Sequence, residues 1–205
     1  MAHNQSFTPK ELLFEEEGRK KLISGVNKMA KAVKSTLGPR GKTVLIESPY
    51  HTHGITVTKD GVTVAKAVDL FDPVENLAVK IMKEAAERTA TSAGDGTTTA
   101  IVLTEALIEA GIKYLKPEHN NIEVLRNMVD ISNEVVELLK KSAKKVTPGM
   151  LEDVATISSN NDSSTGKVIA ETYSAVGKNG IVTVEHSQTS ETYSTATEGL
   201  RVQRA

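Results

Sequence analysis

Three features predict a mainly α-helical fold with small β elements. Apolar residues recur at three- and four-residue spacing over four long stretches. Two short β-rich runs, Thr43-Val44-Leu45-Ile46 and Ile55-Thr56-Val57-Thr58, lie between the first two of these stretches. After Pro148-Gly149 the elements become shorter. The division predicted is a helical domain up to about residue 143 and a smaller α+β module from about 144.

The first helix is expected over 17–35, where Leu22, Ile23, Val26, Met29, Ala30 and Val33 form a stripe. Gly38-Pro39 stops it, because proline lacks the N–H and glycine takes positive φ cheaply. Pro49 and Gly54 mark the loop between the two strands, and Asp60 is placed to cap a short helix over 62–68. A helix over 74–92 carries Leu77, Ala78, Ile81, Met82, Ala85 and Thr89 on one face, and Gly94-Asp95-Gly96 interrupts it. A third long helix follows over 97–113. Asn120 or Asn121 caps a fourth that reaches Lys144, with the stripe Ile122, Leu125, Val129, Val136, Leu139 and Ala143. Shorter helices are expected over 150–158 and 164–177. The turn Gly177-Lys178-Asn179-Gly180 then leads into a strand at Ile181–Glu185, and 191–203 alternates weakly, as a further strand would.

Bulk composition narrows the function classes. Twenty-five basic residues against 26 acidic ones give a net charge of −1, without the basic surplus of a nucleic-acid binder. There is no cysteine, so disulfides and thiolate metal sites are excluded. No apolar stretch approaches the ~20 residues that cross a bilayer, and Met1–Lys10 lacks a signal-peptide core. A cytoplasmic location without a membrane partner is the expectation. Aromatics make up only 3%, so aliphatic residues and Ala must fill the core.

Gly41-Lys42-Thr43 imitates the end of a phosphate-binding P-loop. The full pattern, however, requires a glycine five residues before Gly41, where Thr36 stands, and a helix after the lysine. Here a helix precedes the glycines and a strand follows them, so no helix N-terminus points at Lys42. Lys42 is better explained as a solvated lysine entering an edge strand.

Ala93-Gly94-Asp95-Gly96-Thr97-Thr98-Thr99-Ala100 is the stronger anion candidate. Two glycines let the backbone approach an anion closely, and the following helix opens with free N–H groups, a positive dipole end and three hydroxyls. Asp95 is placed to share Mg²⁺ with phosphate oxygens, the ligands that hard cations favour. The plain alternative makes Asp95 an N-cap and Gly94 a C-cap of ordinary helices. Three consecutive threonines are poor helix formers, which favours the anion reading. Two further turns, Thr36-Leu37-Gly38-Pro39 and Thr58-Lys59-Asp60-Gly61, add a hydroxyl, a cation and a carboxylate.

With these motifs assembled, the sequence resembles the bacterial group I chaperonins, the GroEL type. "TLGPRGKTVLIE", "ITVTKDGVTVAK", "AGDGTTTAIVL", "ATISSNNDSSTGKVIAETYSAVGKNGIVTVE" and "EGLRVQR" follow that family's landmarks in order from about residue 12 to the end. The resemblance implies a multi-helix equatorial domain (its N-terminal part) over 1–141, an α+β intermediate segment over 142–198, and the start of an apical domain at 199–205, with Gly199 at the hinge. It implies ATP, Mg²⁺ and K⁺ as ligands, ring self-association, unfolded client proteins and a co-chaperonin. By resemblance, Thr36, Leu37, Gly38 and Pro39 form a nucleotide-contacting turn. Lys59 lies near the phosphates, with its backbone near the monovalent cation. Asp60 is the catalytic carboxylate close to the γ-phosphate, Asp95 the Mg²⁺ ligand, and Gly96, Thr97, Thr98 and Thr99 the phosphate-binding helix start.

Measured against the family pattern, the sequence stops just inside the apical domain. The client-binding groove, the co-chaperonin contact and the second half of the equatorial site, including the carboxylate that positions the attacking water, then fall outside it. An ATP-hydrolysing chaperonin subunit and a non-hydrolysing, nucleotide-binding or ring-interacting fragment both follow from the resemblance.

Overall fold

The computed structural model describes residues 11–47, 54–116, 118–177, 179–197 and 199. They form two compact units, divided between Asp130 and Ile131, inside one long helix.

In the first unit, helix α1 (Glu15–Lys34) carries three glutamates in its first turn and Lys31 and Lys34 in its last. That order suits the helix dipole at both ends. Gly25, Val26, Met29, Ala30 and Val33 are its buried positions; the last four lie on the predicted stripe, whereas Leu22, also predicted there, is exposed. Strands β1 (Val44–Glu47) and β2 (Ile55–Thr58) pair antiparallel with Val44 opposite Thr58 and Glu47 opposite Ile55. Pro49, predicted in the connecting loop, lies outside the described residues. Helix α2 (Gly61–Ala67) is capped by Asp60, whose carboxylate accepts from the Thr63 N–H at 2.9 Å and the Val62 N–H at 3.4 Å.

Helix α3 (Pro73–Ala93) begins with Asp72 accepting from Val74 and Glu75 N–H groups and with Pro73 in its first turn. It ends at Gly94, in the left-handed region at φ 77°. Its buried line runs through Ala78, Val79, Met82 and Ala86, whereas Leu77 and Ile81, predicted on the inner face, are exposed. Helices α1 and α3 also approach closely at the start of α3, where a Cβ at Gly25 of α1 would run into the Glu75 carbonyl. Charged ties reinforce this contact. Lys21 meets Asp72 at 2.8 Å, and Lys28 and Ser24 both donate to Glu75. The Lys28 ammonium, followed by the Ser24 hydroxyl, holds the Glu75 carboxyl below its usual range.

Helix α4 (Thr97–Tyr114) completes the core through Ile101. Met29, Met82, Ile101, Val33 and Val79 are wholly buried, each worth about 1.5–3 kcal/mol on removal from water. Helix α5 (Asn121–Ser142) starts under the Asn120 side chain, which accepts from the Ile122 N–H at 3.1 Å, and has no buried residue. Its predicted stripe is real in spacing, yet Ile122, Leu125, Val129, Val136 and Leu139 are all exposed.

The second unit contains α6 (Pro148–Ser158) and α7 (Ser163–Val176), packed so closely that a Cβ at Gly166 would meet Thr156. Asp162 caps α7, accepting from the N–H and hydroxyl groups of Ser164 and Thr165. Those bonds, the Ser164 hydroxyl foremost, lower its pKa to about 2. Among the described residues this unit has no strand. Residues 181–187, predicted to begin with the strand Ile181–Glu185, are irregular, with Ile181 and Val184 exposed. A strand exists only through a neighbour that completes its ladder, and none of the described residues supplies one. Residues 191–197 are likewise irregular; Lys178, residue 198 and residues 200–205 lie outside the described residues.

Candidate functional site

Two structural links gather the three predicted glycine turns. The antiparallel hairpin is the first. Because Val44 opens β1 and Thr58 closes β2, the segment before β1 and the turn after β2 leave the sheet at the same end. The loop containing Thr36–Pro39 and the turn containing Lys59–Asp60 therefore lie toward the same end of the hairpin. The second is a close approach between helix starts: Thr98 Oγ1 occupies the space where a Cβ at Gly61 would stand. Any larger residue there would have to displace the Thr98 hydroxyl. The start of α2 is thereby seated against the start of α4.

Each turn is built locally. The Val33 carbonyl accepts from both the Thr36 N–H, at 3.1 Å, and the Thr36 hydroxyl, at 2.8 Å. The Leu37 N–H bonds to the Lys34 carbonyl at 3.1 Å, and Gly38 then takes φ 75°. Leu37, Gly38 and Pro39 are exposed. Lys42 follows with its N–H on the Ser35 carbonyl at 2.7 Å and leads into β1, an order of elements opposite to that of a P-loop.

Lys59 is exposed, and the Asp60 N–H bonds to Thr58 Oγ1 at 3.0 Å. One Asp60 oxygen accepts from both the N–H and the hydroxyl of Thr63, the latter at 2.6 Å. Asp60 is therefore a helix cap in this structure, as its spacing predicts.

The Gly94–Thr99 turn decides against the plain capping alternative for Asp95. The N-cap of α4 is Gly96, at φ 87°, and no side chain caps the helix. Asp95 is exposed and, among the described residues, accepts the N–H of the next residue, Gly96, at 2.6 Å through Oδ1. Among the described residues no side chain bonds the first-turn amides of Thr97, Thr98 and Thr99; the Asp95 carboxylate rests on the Gly96 N–H just before them. Thr97 is buried, Thr98 half-buried and Thr99 exposed, so the three hydroxyls occupy graded depths.

These residues suit a phosphate group with a divalent cation. An uncapped helix N-terminus behind two left-handed glycines is an anion cradle. Asp95 has an oxygen free of the Gly96 bond, and among the described residues no cluster of three or more His, Cys, Asp or Glu forms a closed metal cage. One carboxylate shared with phosphate oxygens is the arrangement that Mg²⁺ accepts.

Two residues escaped the sequence reading. Gly61 was legible as a turn, not as the seat of Thr98. Glu105, buried on α4 and paired with Lys34, was missed although Thr97, Ile101 and Glu105 recur at i, i+4 and i+8 on the buried face.

The helical unit and its turn cluster are of the chaperonin type. The model of the TCP-1/cpn60 chaperonin family matches residues 29–204, and the chain belongs to that family. Among solved structures it is similar to the chaperonin gp146 of bacteriophage EL, crystallised in the presence of ATP-BeFx. One crystal form matches at 31% identity with a TM-score of 0.68, over 78% of this chain and 28% of that one. A second form of the same protein gives 29% and 0.67 over the same shares. A group III chaperonin in its open state matches at 25% identity and TM-score 0.62, over 78% of this chain and 32% of that one. The chain thus spans about a third or less of the length of these relatives. No helix among the described residues is long and apolar enough to cross a membrane.

Proposed function

We propose that this chain is the N-terminal, nucleotide-binding portion of a chaperonin subunit that binds Mg·ATP at the cluster of glycine turns. The observation that carries this reading is the uncapped start of α4 beside Asp95, seated against the Asp60-Gly61 turn. In this reading the amides and hydroxyls of Thr97–Thr99 hold the β- and γ-phosphates, Asp95 holds Mg²⁺, and Thr36–Pro39 contacts the nucleotide. Lys59 adds positive charge beside the phosphates, with K⁺ near its backbone. Asp60, close to the γ-phosphate, acts as the catalytic carboxylate.

The collinear motifs from Thr36 to the final Arg204 support the bacterial group I subtype. Residues 1–141, 142–198 and 199–205 are then the equatorial part, the intermediate segment and the apical start, in a cytoplasmic ring whose clients and co-chaperonin bind elsewhere in the subunit. In-line hydrolysis also requires an oriented water. As a second reading, these residues bind nucleotide without turning it over.

Titration with Mg·ATP, with release of inorganic phosphate followed in parallel, tests both readings. Binding with turnover supports the ATPase. Binding alone supports the non-hydrolysing reading. Absence of binding removes both.

A further inference from the structure

The nucleotide reading leaves one buried charged group without a role. Glu105 lies two turns beyond Thr97 on α4, is 7% exposed, and forms an ion pair with Lys34. Lys34 is the last residue of α1. Its carbonyl holds the Leu37 N–H, and the preceding Val33 carbonyl holds both polar groups of Thr36. The Thr36–Pro39 turn therefore hangs from the carbonyls of Val33 and Lys34, and the Lys34 side chain is tied to Glu105 of α4. Glu105 is the buried partner and Lys34 the exposed one, so loss of Lys34 strands the Glu105 carboxylate away from water. The other long-range ion pairs of α1, Lys21–Asp72 and Lys28–Glu75, run to the start of α3 instead.

We propose that Glu105 is a positioning residue for nucleotide binding: through Lys34 it fixes the Thr36–Pro39 turn at a set spacing from the amides that open α4. The proposal rests on the nucleotide reading above. It makes the helix that presents the phosphate donors also the anchor of the turn on the far side of the ligand. The pair itself touches no nucleotide.

Calorimetric titration of the full chain with Mg·ATP, alongside thermal melts followed by circular dichroism, tests it on Glu105→Gln, Lys34→Met and Lys28→Met. The first two variants are expected to weaken binding by about five- to tenfold, the size of effect that residues linking a site from outside it produce. Lys28→Met breaks a tie of the same chemistry on the same helix and is expected to stay within about twofold at a comparable loss of Tm. Equal weakening in all three variants, or full affinity in the first two, overturns the proposal while leaving the nucleotide reading intact. A wild-type chain that binds no Mg·ATP overturns both. If Lys34→Met fails to fold, Glu105→Gln, which preserves the side-chain shape, decides alone.

Discussion

Thr98 Oγ1 fills the volume that a Cβ on Gly61 would take, so the second and fourth helices of the first unit meet hydroxyl to backbone at their N-termini. Gly61→Ala is expected to push Thr98 aside and to disturb the first turn of α4. Thermal stability should fall by about 1–3 kcal/mol, the usual cost of overpacking, and nucleotide affinity should fall with it. Adding Thr98→Ala should recover part of the lost stability, because the clash is with the hydroxyl. Melting curves of the single and double variants check this; an unchanged Tm for Gly61→Ala would contradict the close approach.

Asp95 provides the sharpest separation between capping and metal binding. Since Gly96 is the N-cap of α4 and Asp95 bonds the Gly96 N–H, Asp95→Ala should leave the helical circular dichroism nearly intact. The Mg-dependent part of nucleotide affinity should drop by at least roughly tenfold, the lower end of what even an outer partner is worth to a metal site. Collapse of the spectrum would instead make Asp95 structural.

Lys42 should prove dispensable. It is exposed, and its backbone rather than its side chain anchors the loop through Ser35. Lys42→Ala is expected to change Mg·ATP affinity by less than about twofold, well inside 1 kcal/mol. A large loss would revive the P-loop interpretation.

Stability should be divided unevenly along the chain. Met29→Ala, at a fully buried position, is expected to cost about 2–5 kcal/mol in denaturant titration. Leu139→Ala, on the exposed stripe of α5, should stay within about 0.5 kcal/mol.

Acid should uncap α7 late. The folded pKa of Asp162, about 2, lies below its ordinary value of 3.8, so its contribution is complete above pH 4 and is lost as pH falls toward 2. Asp162→Asn, which retains an acceptor but no charge, should remove that pH dependence from the melting of the α6–α7 pair. An unchanged acid profile would show that the cap does not govern it.

Much of this architecture was legible because its signals are local. Asp60, expected as a cap, bonds the helix within three residues of itself, and Gly94 ends one by its own conformation; Asp72 and Asp162 cap their helices in the same local way, though they escaped the sequence reading. A cap needs no partner from elsewhere, so sequence order suffices to place it. What failed depended on distant partners. Ile181–Glu185 has the composition of a strand but no neighbour to pair with among the described residues. Leu77 and Ile81 have the spacing of an inner face, yet the line through Ala78, Val79, Met82 and Ala86 meets the core instead. Glu105 was missed because charge at a helical position suggests solvent, and only Lys34, 71 positions away, makes its burial tolerable. In the candidate site, the individual turns were visible, whereas the Gly61–Thr98 approach that joins two of them was not.

Gly25 has a wider mechanical meaning. Where backbone meets backbone at Glu75, no side chain lies between α1 and α3. At that point a shift of one residue would drive a Cβ against a carbonyl, so the pair behaves as a keyed joint rather than a greased one.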